Sequence, residues 1–242
     1  MASFVPAISN ATIVEIDTNL GTIQVNLYDL GTPATVANFL AYVNSGDYTD
    51  SVMHRSLAGF VVQGGAVVTD QNANLLAITE RPPVTNEPVF ANVRGTIAMA
   101  KLPNFVNSAT SQWFFNLGNN TANLDNANGG FTVFGEVVAG LNVVDAIAAV
   151  PTFNGVAGFD DFPLQNFTAP PVLVDNYIVV NSVTVIDTTV DTAAGLNPTP
   201  TTAAGGGGGG GNGGGGGGGF GLLGLVGLLV LGRSRYRRLQ AA

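Results

Sequence analysis

The chain has 242 residues, sixteen acidic and eight basic side chains, one histidine and no cysteine, for a formal charge of −8. Every acid lies at or before Asp191, while Arg233, Arg235, Arg237 and Arg238 crowd the far end, so the body is more acidic than the total and repels phosphate. Nucleic acid is therefore excluded as a partner, and the absence of cysteine excludes a disulfide framework, thiol chemistry and zinc-finger spacing.

In chain order, Met1–Ala7 has neither a basic start nor a long apolar run and does not read as a secretory signal, so residues 1–11 are taken as an extension. Thr12–Asp17 and Gly21–Tyr28 read as strands; Ile23, Val25 and Leu27 alternate with polar residues, and Asn19-Leu20-Gly21 supplies the turn. A helix follows, with Thr32 as its cap, Pro33 at its first position and Gly46 at its exit. Val36, Phe39, Leu40 and Val43 share one face, which suits a helix covering an opening of a sheet or barrel.

Met53–Gly65 predicts two strands joined by a bend at Gly59, with Arg55 set among apolar residues where a guanidinium is rarely left unless paired or used. The stretch Asp70–Pro83 reads as a loop, kept irregular by Pro82-Pro83 and Pro88. Apolar runs return at Thr96–Ala100, Trp113–Leu117 and Phe131–Val137; a second helix is predicted near Leu141–Ala149, stopped by Pro151. Tyr177–Asp187 is a last strand, with Ile178, Val180, Val183 and Val185 apolar. Short strands with two helices predict a mostly-β barrel or sandwich capped by helices. Asp160-Asp161 reads as a solvated loop, Asp125–Gly129 fails the calcium-loop pattern, and no metal or cofactor is implied.

Composition changes at Thr188. Residues 188–219 are expected to be a flexible linker ending in Gly205–Gly219, which is glycine throughout except Asn212. Phe220–Gly232 is apolar; as a helix it would reach about 20 Å, short of the ~30 Å hydrocarbon core, and the arginine cluster after it suits transient membrane contact over residues 220–238.

The chemistry concentrates in the middle. Phe60, Met99, Phe114 and Leu124 are expected to form an apolar pocket for one ring-sized side chain, with Arg55 and Gln63 as donors at its rim. No nucleophile–base pair stands out, which suits a reaction that makes and breaks no covalent bond. The run His54-Arg55 through Phe60 to Gln63-Gly64-Gly65, then Ala98-Met99-Ala100 with Asn107–Phe115, then Leu124-Asp125 with Phe131–Gly135, resembles the signatures of the cyclophilins over about residues 12–187. The resemblance implies an eight-stranded antiparallel β-barrel with a helix closing each end, and cis/trans isomerisation of X-Pro bonds with Arg55 as the catalytic residue. It implies a substrate-binding set of His54, Phe60, Val61, Gln63, Met99, Ala100, Lys101, Gln112, Phe114, Leu124 and Phe131. Within it Gln63 holds a substrate carbonyl, the backbone at Ala100–Lys101 pairs with the peptide, and Gln112 supports Arg55. His54 reads by itself as a structural hydrogen-bonder, since rotation needs no proton transfer. Asn123 stands where many members carry an aromatic residue, and Phe131 where many eukaryotic members carry histidine, so weak cyclosporin affinity is expected.

The tail is similar to a bacterial GlyGly-type sorting signal, which implies export to the periplasm or cell surface and a sorting protease as partner; a stable membrane anchor is the alternative for residues 220–242. The expected protein is a monomer acting on proline-containing peptides and unfolded clients. The competing reading is a non-catalytic surface module that binds proline-containing peptides in the same groove.

Overall fold

The computed structural model describes residues 13–189 and 192–202. The expectations for the extension 1–11, the glycine tract, the apolar segment 220–232 and the basic cluster lie outside the described residues. Among the described residues no helix is long and apolar enough to cross a membrane.

β1 (Ile13–Thr18) and β2 (Gly21–Leu27) form an antiparallel hairpin whose alternate residues Val14, Ile16, Ile23 and Val25 are fully buried, as period-two alternation requires. α1 (Pro33–Asn44) begins at the predicted proline and ends where Gly46, at φ +72°, lets the Gly46 and Asp47 amides bond back to Val43 and Tyr42. Thr32 is the amino-terminal cap residue as expected, its carbonyl accepting from the Val36 amide at 2.9 Å, but its hydroxyl makes no capping bond and lies toward the Tyr28 carbonyl at 3.4 Å. The capping side chain is Glu87, which accepts from the Ala34 amide at 3.2 Å and from the Thr35 amide and hydroxyl at 2.9 and 2.7 Å. A carboxylate there also complements the helix dipole.

The remaining elements are β3 (Ser51–Val52), β4 (Arg55–Leu57), β5 (Val61–Gly64), β6 (Val67–Thr69), β7 (Leu75–Ala77), β8 (Thr96–Met99), β9 (Trp113–Asn116), the single turn α2 (Thr121–Leu124), β10 (Val133–Ala139), α3 (Leu141–Ala148), β11 (Thr152–Phe153), β12 (Phe162–Pro163) and β13 (Val179–Asp187). Eleven strands join one sheet in the order β4-β5-β9-β8-β10-β2-β1-β13-β3-β6-β7. This count replaces the predicted eight because two runs, 51–57 and 61–69, are each broken by a bend and β7 adds one more strand. β3 and β4 belong to the first and β5 and β6 to the second, so one hairpin stands at both ends of the order and the sheet curls back on itself. The second bend is at Gly65 (φ +80°), where a Cβ would meet the Ser111 carbonyl oxygen at 2.5 Å; only glycine fits. β7 lies inside the stretch predicted to be irregular: the prolines that spoil the pattern come after it, and Leu75 is buried against β6.

The sheet separates two apolar clusters. Phe39 and Tyr42 of α1, Val144 and Ile147 of α3, and Met53, Trp113, Phe115 and Phe134 fill the interior. Tyr28, Val61, Ala98, Phe114, Leu124, Phe131 and Val133 form a second cluster on the opposite face. β9 feeds both, sending Trp113 and Phe115 one way and Phe114 the other. The predicted linker is not free throughout: Ala193 and Leu196 pack on the second cluster, because they are the apolar residues of an otherwise polar stretch.

Candidate active site

Strand register assembles the site. Arg55 on β4 lies opposite Gln63 on β5, Gln63 opposite Phe114 on β9, Phe114 opposite Ala98 on β8, and Ala98 opposite Val133 on β10. Directly opposed residues share a face, so these five make one row across five strands, a guanidinium and an amide at one end and an apolar surface at the other. Val61, two residues before Gln63, joins the same face and the same cluster.

Met99 does not. Its neighbours Ala98 and Ala100 belong to the outer cluster, while Met99 is fully buried in the interior with Met53 and Trp113. Adjacent strand residues point to opposite faces, so Met99 cannot share a pocket with Ala98. Phe60, Val61, Phe114, Leu124 and Phe131 pack together on this face with Ala98 and Ala100. Phe60 is half-buried at the β4–β5 tip beside Gly59 (φ +71°). Phe114 and Phe131 meet edge to face at 6.0 Å, and the Phe131 amide bonds to the Leu124 carbonyl at 3.0 Å.

The polar end is nearly dry. Arg55 is buried, and its Nη1 has no hydrogen-bond partner among the described residues. Its Nε lies 3.8 Å from Oδ2 of Asp161, an ion pair too long to be a hydrogen bond. Burial pulls the Arg55 pKa down and the charges of Asp161 and Asp160 pull it up, the first effect being larger. Asp160 is exposed and Asp161 partly so, as expected of a solvated loop, and the Asp161 carbonyl also accepts from the Ser56 amide at 2.8 Å, which ties that loop to β4. Asp161 is the functional neighbour that sequence reasoning missed, and the only signal for it was the acidic pair itself.

Gln63 donates from Nε2 to Oε1 of Gln112 at 2.8 Å and keeps its own Oε1 unpaired, so in this orientation it offers the groove an acceptor. The Ala100 amide donates to the Gln112 carbonyl at 3.0 Å and is thereby engaged within the fold. The Lys101 side chain turns away from the row. Its Nζ donates to the Asn128 carbonyl at 2.8 Å and to the Gly130 carbonyl, and lies 4.9 Å from the centre of the Phe131 ring. Burial pushes its pKa down to about 8. Lys101 thus braces the turn that presents Phe131.

His54 is buried with its ring 5.1 Å from that of Phe159, and burial pushes its pKa down to about 4 despite opposing contacts with the Val52 backbone and Gln112. The ordinary value is about 6.5, so between these two limits the unfolded chain binds a proton that the folded chain refuses. Stability from this group is complete above pH 6.5 and is lost as pH falls toward 4, by about 3 kcal/mol in all. Urea unfolding at pH 7 and 4.5 should therefore show a smaller acid loss in His54→Gln than in the parent; equal losses would refute the neutral buried ring.

Buried donor and acceptor atoms of Arg55 and Gln63 thus stand beside an aromatic cluster, and among the described residues Ser56 Oγ makes no hydrogen bond to a base. The comparisons identify the class. A family model described as cyclophilin type peptidyl-prolyl cis-trans isomerase/CLD matches residues 13–169. The chain is 42% identical over 144 residues to a peptidyl-prolyl cis-trans isomerase of Acinetobacter baylyi, covering 58% of this chain and 74% of that one. It is 38% identical over 186 residues to peptidyl-prolyl cis-trans isomerase A of Dickeya dadantii (74% and 92% covered) and 35% identical over 171 residues to isomerase B of Escherichia coli (67% and 99%). A Cryptosporidium parvum cyclophilin type isomerase, solved in the presence of the dipeptide Ala-Pro, shares the fold with a TM-score of 0.53 at 21% identity, over 72% of this chain and 98% of that one. The chain belongs to the cyclophilin type peptidyl-prolyl cis-trans isomerases.

Proposed function

We propose that the row from Arg55 to Val133 binds proline-containing peptides and rotates their X-Pro bonds, with Arg55 as the catalytic residue. The observation that carries this is a buried guanidinium whose Nη1 has no partner among the described residues, set in one row with Phe114. Amide resonance sets a barrier of about 18–20 kcal/mol, which makes the uncatalysed step slow. Twisting the bond returns a lone pair to the prolyl nitrogen, and an N–H aimed there binds the twisted form better than the planar one, which is the requirement for catalysis. The proline ring sits among Phe60, Val61, Phe114, Leu124 and Phe131. Gln63, held by Gln112, accepts a substrate N–H through Oε1 rather than holding a carbonyl. Backbone groups near Ala100–Lys101 other than the engaged Ala100 amide pair with the peptide. The test is acceleration of proline isomerisation in a model peptide by the full chain; binding without acceleration would favour the non-catalytic module.

The clients are unfolded proteins, served by a monomer; with each bent run counted as one strand, the eight strands other than β7 close the barrel. The tail serves as a sorting signal at a cell surface, engaging the membrane through 220–238 and a sorting protease. The order glycine tract, thirteen apolar residues, arginine cluster supports that reading. Mass spectrometry of protein from its native cell should find the chain ending within or just after the glycine tract, and an intact carboxy terminus in the cytoplasm would refute it.

A further inference from the structure

Residues 192–202 follow the last strand and are held to the body at several points. The Thr192 hydroxyl donates to Asn26 Oδ1 at 2.9 Å, Ala193 and Leu196 pack on the outer cluster, and Pro200 pairs antiparallel with Phe90. That pairing is fixed by the Ala91 amide on the Thr199 carbonyl at 2.9 Å and the Thr201 amide on the Val89 carbonyl at 3.0 Å. At the end of this strap the Thr201 hydroxyl donates to Oδ2 of Asp125 at 3.1 Å.

Asp125 begins a buried polar chain. Its Oδ1 accepts from the amide and the Nδ2 of Asn92, both at 2.9 Å. Asn92 Nδ2 also donates to the Phe131 carbonyl at 3.1 Å, and its Oδ1 accepts from Asn116 Nδ2 at 3.2 Å. Asn120 Nδ2 donates to Asn116 Oδ1 at 2.7 Å and to the Phe60 carbonyl at 2.8 Å, while the Asn120 carbonyl accepts from the Leu124 amide at 2.8 Å. Asn92, Asn116, Asn120 and Asp125 are all buried. Three walls of the proline pocket, Phe60, Leu124 and Phe131, thus hang from one network, and the strap grips its far end. In a low-dielectric interior such a network is sharply sensitive to the loss of one member.

We infer that the 192–202 strap is a positioning element of the isomerase pocket: Thr201, acting through Asp125 and Asn92, sets where Phe60, Leu124 and Phe131 stand. This rests on the proposed function for its kinetic consequence but not for its structural one. Arg55 and Gln63 stand on β4 and β5 and are not members of the network, so the strap tunes the fit of the proline ring rather than the rotation step. The strap also ends just short of the glycine tract, so cleavage within that tract leaves the pocket set, whereas cleavage before Thr192 releases it.

The test uses the full chain carrying Thr201→Val, Thr201→Ser or Leu196→Asp. Thr201→Val keeps the branched shape and removes the hydroxyl; Leu196→Asp lifts the strap from its apolar seat; Thr201→Ser restores the hydroxyl and serves as the rescue. Thr201→Val should raise KM about five-fold with kcat nearly unchanged, Leu196→Asp at least as much, and Thr201→Ser should return to parent values. Hydrogen exchange read by mass spectrometry should rise in peptides covering residues 119–131 in the first two variants and not in the third. Unchanged KM and unchanged exchange in Thr201→Val would overturn the proposal, as would exchange that rises throughout the chain. If the parent shows no isomerase activity, the functional reading fails, while a rise confined to 119–131 still upholds the strap.

Discussion

Arg55→Ala should lower kcat/KM for X-Pro isomerisation by about 10²–10³-fold, the loss that follows removal of one preorganised donor from a developing charge, while leaving the chain folded. The rotating bond is neutral at the start and gains a basic nitrogen only when twisted, so a donor aimed at that atom acts mainly on the transition state. The loss should therefore appear chiefly in kcat, with KM changing less. Folding survives because, among the described residues, the Arg55 guanidinium makes the one long polar contact to Asp161, whose side chain is 34% exposed and regains water once the guanidinium is gone. Arg55→Lys should fall close to Arg55→Ala: an ammonium keeps the charge but is shorter and lacks the planar fork that places Nη1. A peptide assay with circular dichroism and a melting curve on each variant checks both halves. Arg55→Ala with more than a third of parent activity would end the catalytic assignment.

Much of the frame was legible because its signals are local. Pro33 and Gly46 bracket α1, alternation marks β1 and β2, and Gly59 marks the β4–β5 bend, each within a few residues of what it controls. The site was legible in part. Its row runs from Arg55 to Val133 through strand pairings that no spacing reveals: Arg55, Gln63 and Phe114 were grouped in the sequence, but Ala98 and Val133 join them only through the register. Met99 shows the limit of size and polarity as guides: it looks like a pocket residue until the register fixes which of Ala98 and Met99 faces out. Asp161 and Glu87 escaped for a related reason. An acidic residue in a loop looks solvated in the sequence, and only the fold brings one against Ser56 and the other onto the end of α1. The strap escaped because its threonines and prolines read as linker, whereas Ala193 and Leu196 suffice to seat it once Tyr28 and Phe90 are assembled beneath.

Phe114→Ala should cost both stability and activity, and its contrast with Phe60→Ala separates the pocket's two jobs. Phe114 is fully buried on the central strand β9, and emptying such a site costs about 3–5 kcal/mol, of which the edge contact with Phe131 accounts for about 1. For a domain of this size that lowers the melting temperature by roughly 6–20 °C. Phe60 sits half-buried at a hairpin tip, so its removal exposes little that was dry and should shift the melting point by only a few degrees. On the proposed site both variants lose an aromatic wall of the proline pocket, and both should raise KM by about ten-fold or more, since a ring-sized apolar contact carries at least the energy of one or two methylenes. Phe114→Leu should recover most of the stability and only part of the affinity, because it refills volume without restoring a flat face. If Phe114→Ala kept the parent KM while melting early, Phe114 would be a core residue beneath the groove, and the proline ring would have to be placed on Phe60 and Phe131 alone.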